Sequence, residues 1–151
     1  MLLQGRHRWS PAAEAHLHFA ARAEHLAFTI LPALRAGMTV VCDRFADSTL
    51  AYQGHGQGAD RGLIEGLTRL LPRMPDRTIM LTVTPAVAAA RMIARHQRLD
   101  RYEAMDAAFH ARVAEGFAAI AAAAPARCRV VNADGDIQMV HRAILDAVLA
   151  A

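Results

Sequence analysis

Lysine is absent from these 151 residues, and all 17 basic side chains are arginine. That absence excludes a Schiff-base lysine, a lysine general base and the phosphate-gripping lysine of a P-loop. Cysteine is scarce. Cys42 and Cys128 do not make a disulfide scaffold, and a reduced, cytoplasmic setting is expected. Aromatic residues make up only 5% of the chain, and no aromatic-basic module accompanies the net charge of +3, so nucleic acid is not an expected partner. Long apolar runs are missing too. The weakly charged stretch Phe117 to Pro125 is far too short to span a bilayer. Met1-Leu2-Leu3 runs straight into Gln4-Gly5-Arg6, with no signal peptide visible. What abounds is alanine, at 34 of 151 positions. Together with arginine in place of lysine, it reads as the mark of a GC-rich coding sequence. With 54% apolar and 21% charged residues, the chain reads as one soluble globular domain over residues 1–151 that suits an anionic ligand.

Local signals place the elements. Ser10-Pro11 reads as a helix start, with serine as N-cap and proline at the first helical position. The Ala-rich helix that follows ends at Gly37, and Pro32 is expected to kink or break it. Met38 to Cys42, apolar and β-branched in its middle, is expected to be a buried strand. Asp60 caps a helix to about Leu71. Arg77 to Val83 reads as a second strand, and Thr84-Pro85 caps a helix to about His96. A long helix is expected from Tyr102 to Ala124, a third strand from Arg127 to Asn132, and a last helix after the Asp136 cap. Alternating strands and helices define an α/β domain with a parallel sheet. Ligands bind outside the carboxyl ends of such strands, here Asp43-Arg44, Thr84-Pro85 and Asn132 to Asp136.

Cys42-Asp43-Arg44-Phe45-Ala46-Asp47-Ser48-Thr49-Leu50-Ala51-Tyr52-Gln53-Gly54 is the most informative stretch. It delivers an aspartate and an arginine side by side at a strand tip. An arginine fork suits a phosphate bidentately, and Ser48, Thr49, Tyr52 and Gln53 suit a polar heterocycle. Taken alone, these residues equally describe a strand-end salt bridge followed by a helix N-terminus.

The stretch resembles the Asp-Arg-aromatic, Asp-Ser-Thr/Ser, Ala-Tyr-Gln-Gly signature of the thymidylate kinase (dTMP kinase) family. Three further segments resemble the family in order. These are Glu14 to His25, Asp100-Arg101-Tyr102-Glu103 ahead of Phe109 to Phe117, and Val130 to Asp134. The resemblance covers essentially the whole chain. It implies a P-loop NTPase-like nucleoside monophosphate kinase fold, a parallel sheet flanked by helices, here without its first two strands and first helix. It implies phosphorylation of dTMP to dTDP with ATP and Mg²⁺, in a homodimer joined through the Glu14 to Ala36 helix. Carried over residue by residue, it makes Asp43, Arg44 and the lid arginines Arg95, Arg98 and Arg101 catalytic. Arg44 would hold the dTMP phosphate. Arg22 would reach thymine O4, Thr49 and Gln53 the polar edge, and Ser48 and Tyr52 the sugar pocket. Arg91, Asn132, Ala133 and Asp134 would border ATP. No metal ligand is assigned, although Asp43 could reach the metal through water.

Two departures from the family pattern stand out. The family's stacking phenylalanine lies four residues before the pocket arginine, where this chain has His18 with Phe19 next, so the stacking role is divided between them. His16 and His18, two apart on a helix, do not share a face, so no metal site is expected there. Second, the Gly-x-x-x-x-Gly-Lys-Ser/Thr motif precedes the region that Leu2-Leu3-Gln4-Gly5 resembles, so kinase activity is not expected of the chain as written. Three readings follow: an enzyme represented by an incomplete chain, a dTMP-binding module without ATP use, and a fragment without stable structure.

Overall fold

The computed structural model describes residues 8–94 and 100–150. Its elements are α1 (Pro11–His25), a π-helical turn (Leu26–Ile30), α2 (Leu31–Arg35), α3 (Ala46–Thr49), a second π-helical segment (Leu50–Gly56), α4 (Arg61–Arg69), β1 (Thr78–Thr82), α5 (Pro85–Ala94), α6 (Ala107–Ala123), β2 (Cys128–Asn132) and α7 (Ile137–Leu149). They fall into two units. The first holds residues 1–74 and 105–118, the second 75–104 and 119–151.

In the first unit the expected caps form. The Ser10 hydroxyl accepts from the Ala13 N–H at 3.3 Å, and Asp60 accepts from Gly62 at 2.8 Å, each meeting an orphan donor of a first turn. Pro32 acts more gently than expected. An α-helical register would set its ring against the carbonyl of Phe28. The helix instead widens over one turn, with Leu31 N–H donating to Leu26 O, and resumes as α2. At the end of α2, Gly37 adopts φ 77°. Its N–H donates to Leu34 O and that of Met38 to Ala33 O, the paired bonds of a Schellman cap.

The expected strand over Met38 to Cys42 is corrected. Val40 and Cys42 pack on the core and Val41 is 94% exposed, but the segment pairs with no strand among the described residues. An apolar, β-branched run sets the alternation of side chains, while a strand also needs a neighbouring backbone to take its N–H and C=O groups. The core beneath it comprises Ala15, Phe19, Leu26, Ile30, Phe45 and Ile64.

The π-helical segment Leu50–Gly56 lies tight against the first half of α6. A Cβ on Gly56 would come within 2.6 Å of Phe109 Cε2 and 2.8 Å of Val113 Cγ2, and one on Gly116 within 2.8 Å of His55. Tyr52 meets Phe109 and Phe117 edge-on, each at 6.1 Å, and Arg112 Nε donates to Gly56 O at 3.0 Å.

The second unit bears out the parallel sheet. Among the described residues it has two strands, β1 and β2, in register from Thr78 opposite Cys128 to Thr82 opposite Asn132. Ala133 N–H donating to Thr82 O extends the ladder. Asp136 caps α7 by accepting from Met139 N–H at 2.8 Å. The long helix begins later than expected, because residues 101–104 form a turn. Asp100 accepts from the N–H groups of Tyr102 and Glu103, and Glu103 accepts from Asp100 N–H. That reciprocal box satisfies the backbone locally, and Asp106 then caps α6 through Phe109 N–H at 2.7 Å.

Gly56→Ala is expected to destabilise the chain by about 1–3 kcal/mol, because the Phe109 ring is fully buried and has nowhere to move. Urea unfolding followed by circular dichroism measures it.

Candidate functional site

Three elements of the first unit build the site. Along α1, Glu14, His18 and Arg22 recur every four residues and so share one side of the helix. The turn before α3 carries Asp43 and Arg44. The α3 and π-helical run carries Asp47, Ser48, Thr49, Tyr52 and Gln53.

Arg22 joins the three. Its guanidinium lies near two aromatic rings, 4.7 Å from the Phe19 centroid and 5.1 Å from that of Phe45. Nη2 donates to Phe45 O at 3.0 Å and to Thr49 Oγ1 at 3.2 Å. Nη1 is buried and has no hydrogen-bond partner among the described residues. Burial lowers the proton affinity of the guanidinium, with Cys42 and Asp47 opposing. A buried donor left unmatched costs about 1–3 kcal/mol, so a ligand acceptor at Nη1 would recover that cost.

Arg44 adopts φ 65°, the left-handed region that a non-glycine residue enters at a cost. The Cys42 thiol donates to Arg44 O at 3.4 Å. The Arg44 guanidinium sits 5.0 Å from the Tyr52 ring centroid, while Arg44 and Asp43 both remain exposed. The expected Asp-Arg tip is therefore delivered by a strained turn and not by a paired strand.

His18 is half-buried. Burial first, then the charge of Arg22, with Arg44 adding and Glu14 opposing, lowers its proton affinity below the ordinary histidine value. The neutral form of the ring is thereby favoured. Phe19, in contrast, is 6% exposed and belongs to the core. Ser48 is half-buried in the first turn of α3, its N–H donating to Phe45 O. Thr49 and Gln53 are buried.

Glu14 is the residue the sequence reading left out of the site. It is 0% exposed and Gln53 1%, and Gln53 Nε2 donates to Glu14 Oε2 at 3.4 Å. Its signal was present in the four-residue spacing Glu14, His18, Arg22, beside the apolar stripe Ala15, Phe19, Leu26.

The remaining candidates lie in the second unit. Asp134 Oδ1 accepts from the Thr84 N–H at 2.8 Å and from its hydroxyl at 3.2 Å. Asn132 Oδ1 accepts from Asp134 N–H, and Arg91 Nη2 donates to Gly135 O at 2.9 Å. Arg91 and Ala133 also line a cavity of about 780 Å³, with Leu81, Val140, His141 and Ile144. Arg101 is half-buried, 5.9 Å from the Tyr102 ring centroid. Arg95 and Arg98 lie outside the described residues.

Among the described residues no group of three or more histidine, cysteine, aspartate or glutamate side chains is placed to hold a metal ion, and Asp43 stands at the turn outside any such group.

Comparison with known proteins bears on the family and the fold. The family model for thymidylate kinase matches residues 1–144. A thymidylate kinase of Gluconobacter oxydans (strain 621H) is 49% identical over 152 residues, covering 98% of this chain and 71% of that protein. One of Rhizorhabdus wittichii is 45% identical, covering 98% of this chain and 73% of its own. The crystal structure of thymidylate kinase from Ehrlichia chaffeensis superposes with a TM-score of 0.74 at 33% identity, covering 95% of this chain and 67% of that one. Its sequence and its fold together place this chain in the thymidylate kinase family.

Proposed function

We propose that the first unit is the dTMP site of a kinase that transfers the γ-phosphoryl group of ATP to the 5′-phosphate of dTMP. The observation that carries this is Arg22 Nη1, a buried cationic donor without a protein partner among the described residues. Thymine O4 supplies the acceptor it needs. Thr49 and Gln53 address the rest of the polar edge, and Ser48 and Tyr52 shape the sugar pocket. His18 is the base-stacking ring in place of Phe19, because it is half-buried with its neutral form favoured, whereas Phe19 is packed into the core.

In the transfer, an oxygen of the dTMP phosphate bonds to the γ-phosphorus as the bond to the ADP oxygen breaks. Arg44 offsets the charge of the attacking phosphate; its side chain is exposed, with the guanidinium 5.0 Å from the Tyr52 ring centroid. Asp43 orients Arg44. Arg95, Arg98 and Arg101 supply charge where it develops on the transferring group, and Arg91 with the Asn132-Ala133-Asp134 loop borders the ATP base. The helical stretch Glu14 to Ala36, on which Phe28 is 76% exposed, forms the homodimer contact.

Isothermal calorimetry is expected to show saturable dTMP binding that Arg44→Ala weakens at least ten-fold, through loss of a charge-assisted contact. Unchanged binding would remove Arg44 from the phosphate site. The 151-residue polypeptide by itself contains no lysine and no Gly-x-x-x-x-Gly-Lys-Ser/Thr motif, and negligible dTMP-dependent ADP release is expected in a coupled assay. For His18, Phe should preserve dTMP affinity while Ala loses about ten-fold, the order of one stacking contact. His18 also makes stability pH-dependent. Its folded proton affinity lies below the unfolded value near 6.5, so its contribution is full above that value and is lost as pH falls from 6.5 through the lowered folded value. His18→Phe should flatten the unfolding midpoint over that window.

A further inference from the structure

We infer that Glu14 is a positioning residue that sets the orientation of the Gln53 amide and so selects a base with an imide edge over one with an amino-pyrimidine edge. This rests on the dTMP reading above. A glutamine amide is nearly symmetric in shape, with two donors at one end and an acceptor at the other. Which end faces a pocket is decided by what holds the opposite end. Here that end meets a carboxylate, which accepts and does not donate. The pair lies between α1 and the π-helical segment, 0% and 1% exposed, where water cannot stand in for a mismatched partner. With Nε2 donating to Glu14 Oε2 at 3.4 Å, the carbonyl end is turned away from Glu14. Its oxygen carries two lone pairs, so it can accept from a base alongside a protein donor.

On this proposal the base meets an ordered pair of groups, the Arg22 Nη1 donor and the Gln53 carbonyl acceptor. Thymine and uracil match it, with O4 as acceptor and N3–H as donor. Cytosine presents the reverse, an amino donor at C4 and an acceptor at N3. The buried carboxylate, two helical turns from Arg22 on the same side of α1, thereby decides how the base is read without touching it. Burying an acidic group this deeply is costly, and the selectivity it confers gives a use for that burial.

The test is calorimetry of the full chain with dTMP and dCMP. The parent is expected to prefer dTMP. Glu14→Gln, nearly identical in shape but able to donate or accept, should cut the dTMP-to-dCMP affinity ratio at least ten-fold. It should leave the relative affinity for dTMP over thymidine, which reports the phosphate end, unchanged. The exchanged pair Glu14→Gln with Gln53→Glu restores an acceptor at position 53 and should recover the preference. Should Glu14→Gln alone fail to fold, the exchanged pair decides: retained preference supports the proposal and lost preference overturns it. A ratio unmoved in Glu14→Gln, or both affinities falling in parallel, overturns the proposal and leaves the dTMP reading standing. A parent chain with no saturable dTMP binding overturns the dTMP reading itself.

Discussion

The first unit depends on burying one guanidinium. Taking Arg22 out of water is costly, and the structure offsets the cost with two aromatic rings and two oxygen acceptors. Each partner comes from a different segment. Phe19 belongs to α1, Phe45 to the turn before α3, and Thr49 to the end of α3. Arg22 therefore acts as a bolt between segments that are 23 and 27 residues apart in sequence. Nη2 takes both acceptors, while Nη1 is buried without a hydrogen-bond partner among the described residues. On the proposed function one side chain carries both structure and recognition, so a change at Arg22 would disturb both together.

Around that bolt the backbone departs from regularity beside candidate site residues. Arg44 occupies a left-handed conformation, and the second π-helical stretch carries Tyr52 and Gln53. Such features cost free energy and persist where surrounding packing determines them. Here the packing is identifiable. Gly56 and Gly116 let the π-helical segment approach α6 more closely than any Cβ would permit, and Tyr52 is wedged edge-on between Phe109 and Phe117. Tyr52 in turn offers its ring to Arg44. Close backbone packing on one side of the π-helical segment thus supports a charged group displayed on the other.

What was legible in the sequence was local. Ser10, Asp60 and Asp136 cap helices because a short polar side chain meets N–H groups two or three residues away. Gly37 ends a helix because its own backbone permits it. The Asp43 to Gly54 stretch was legible as a site because its residues come together through one turn and one helix. The failures were of partnership and register. Met38 to Cys42 has a strand's composition and alternation, but nothing in its own residues names a neighbouring strand. Tyr102 to Asp106 looked helical by composition, yet Asp100 and Glu103 close a separate turn. A 3.6-residue pattern cannot announce a π-helical register. Glu14 was passed over because a glutamate on a helix is ordinarily a solvated one, and its burial is decided by a segment 39 residues away.

The second unit shows a different way of making a site. Its side chains at the strand ends are largely spent on one another. Thr84 and Asn132 hold Asp134, and Arg91 holds Gly135. These bonds tie the loop after β1 to the loop after β2, just beyond the last paired residues Thr82 and Asn132. In a parallel sheet that is where ligands are received. Asn132 and Asp134 are thereby engaged in holding the loops, beside a cavity lined by Leu81, Val140 and Ile144. On the proposed function, recognition there falls to the backbone that they shape and to that apolar lining, which suits a flat base held by shape. The proposed donor and acceptor of the first unit suit instead a base that must be told from its near neighbours. A kinase that accepts one particular monophosphate needs strict reading on the acceptor side, and the proposal puts Arg22 and Glu14 there.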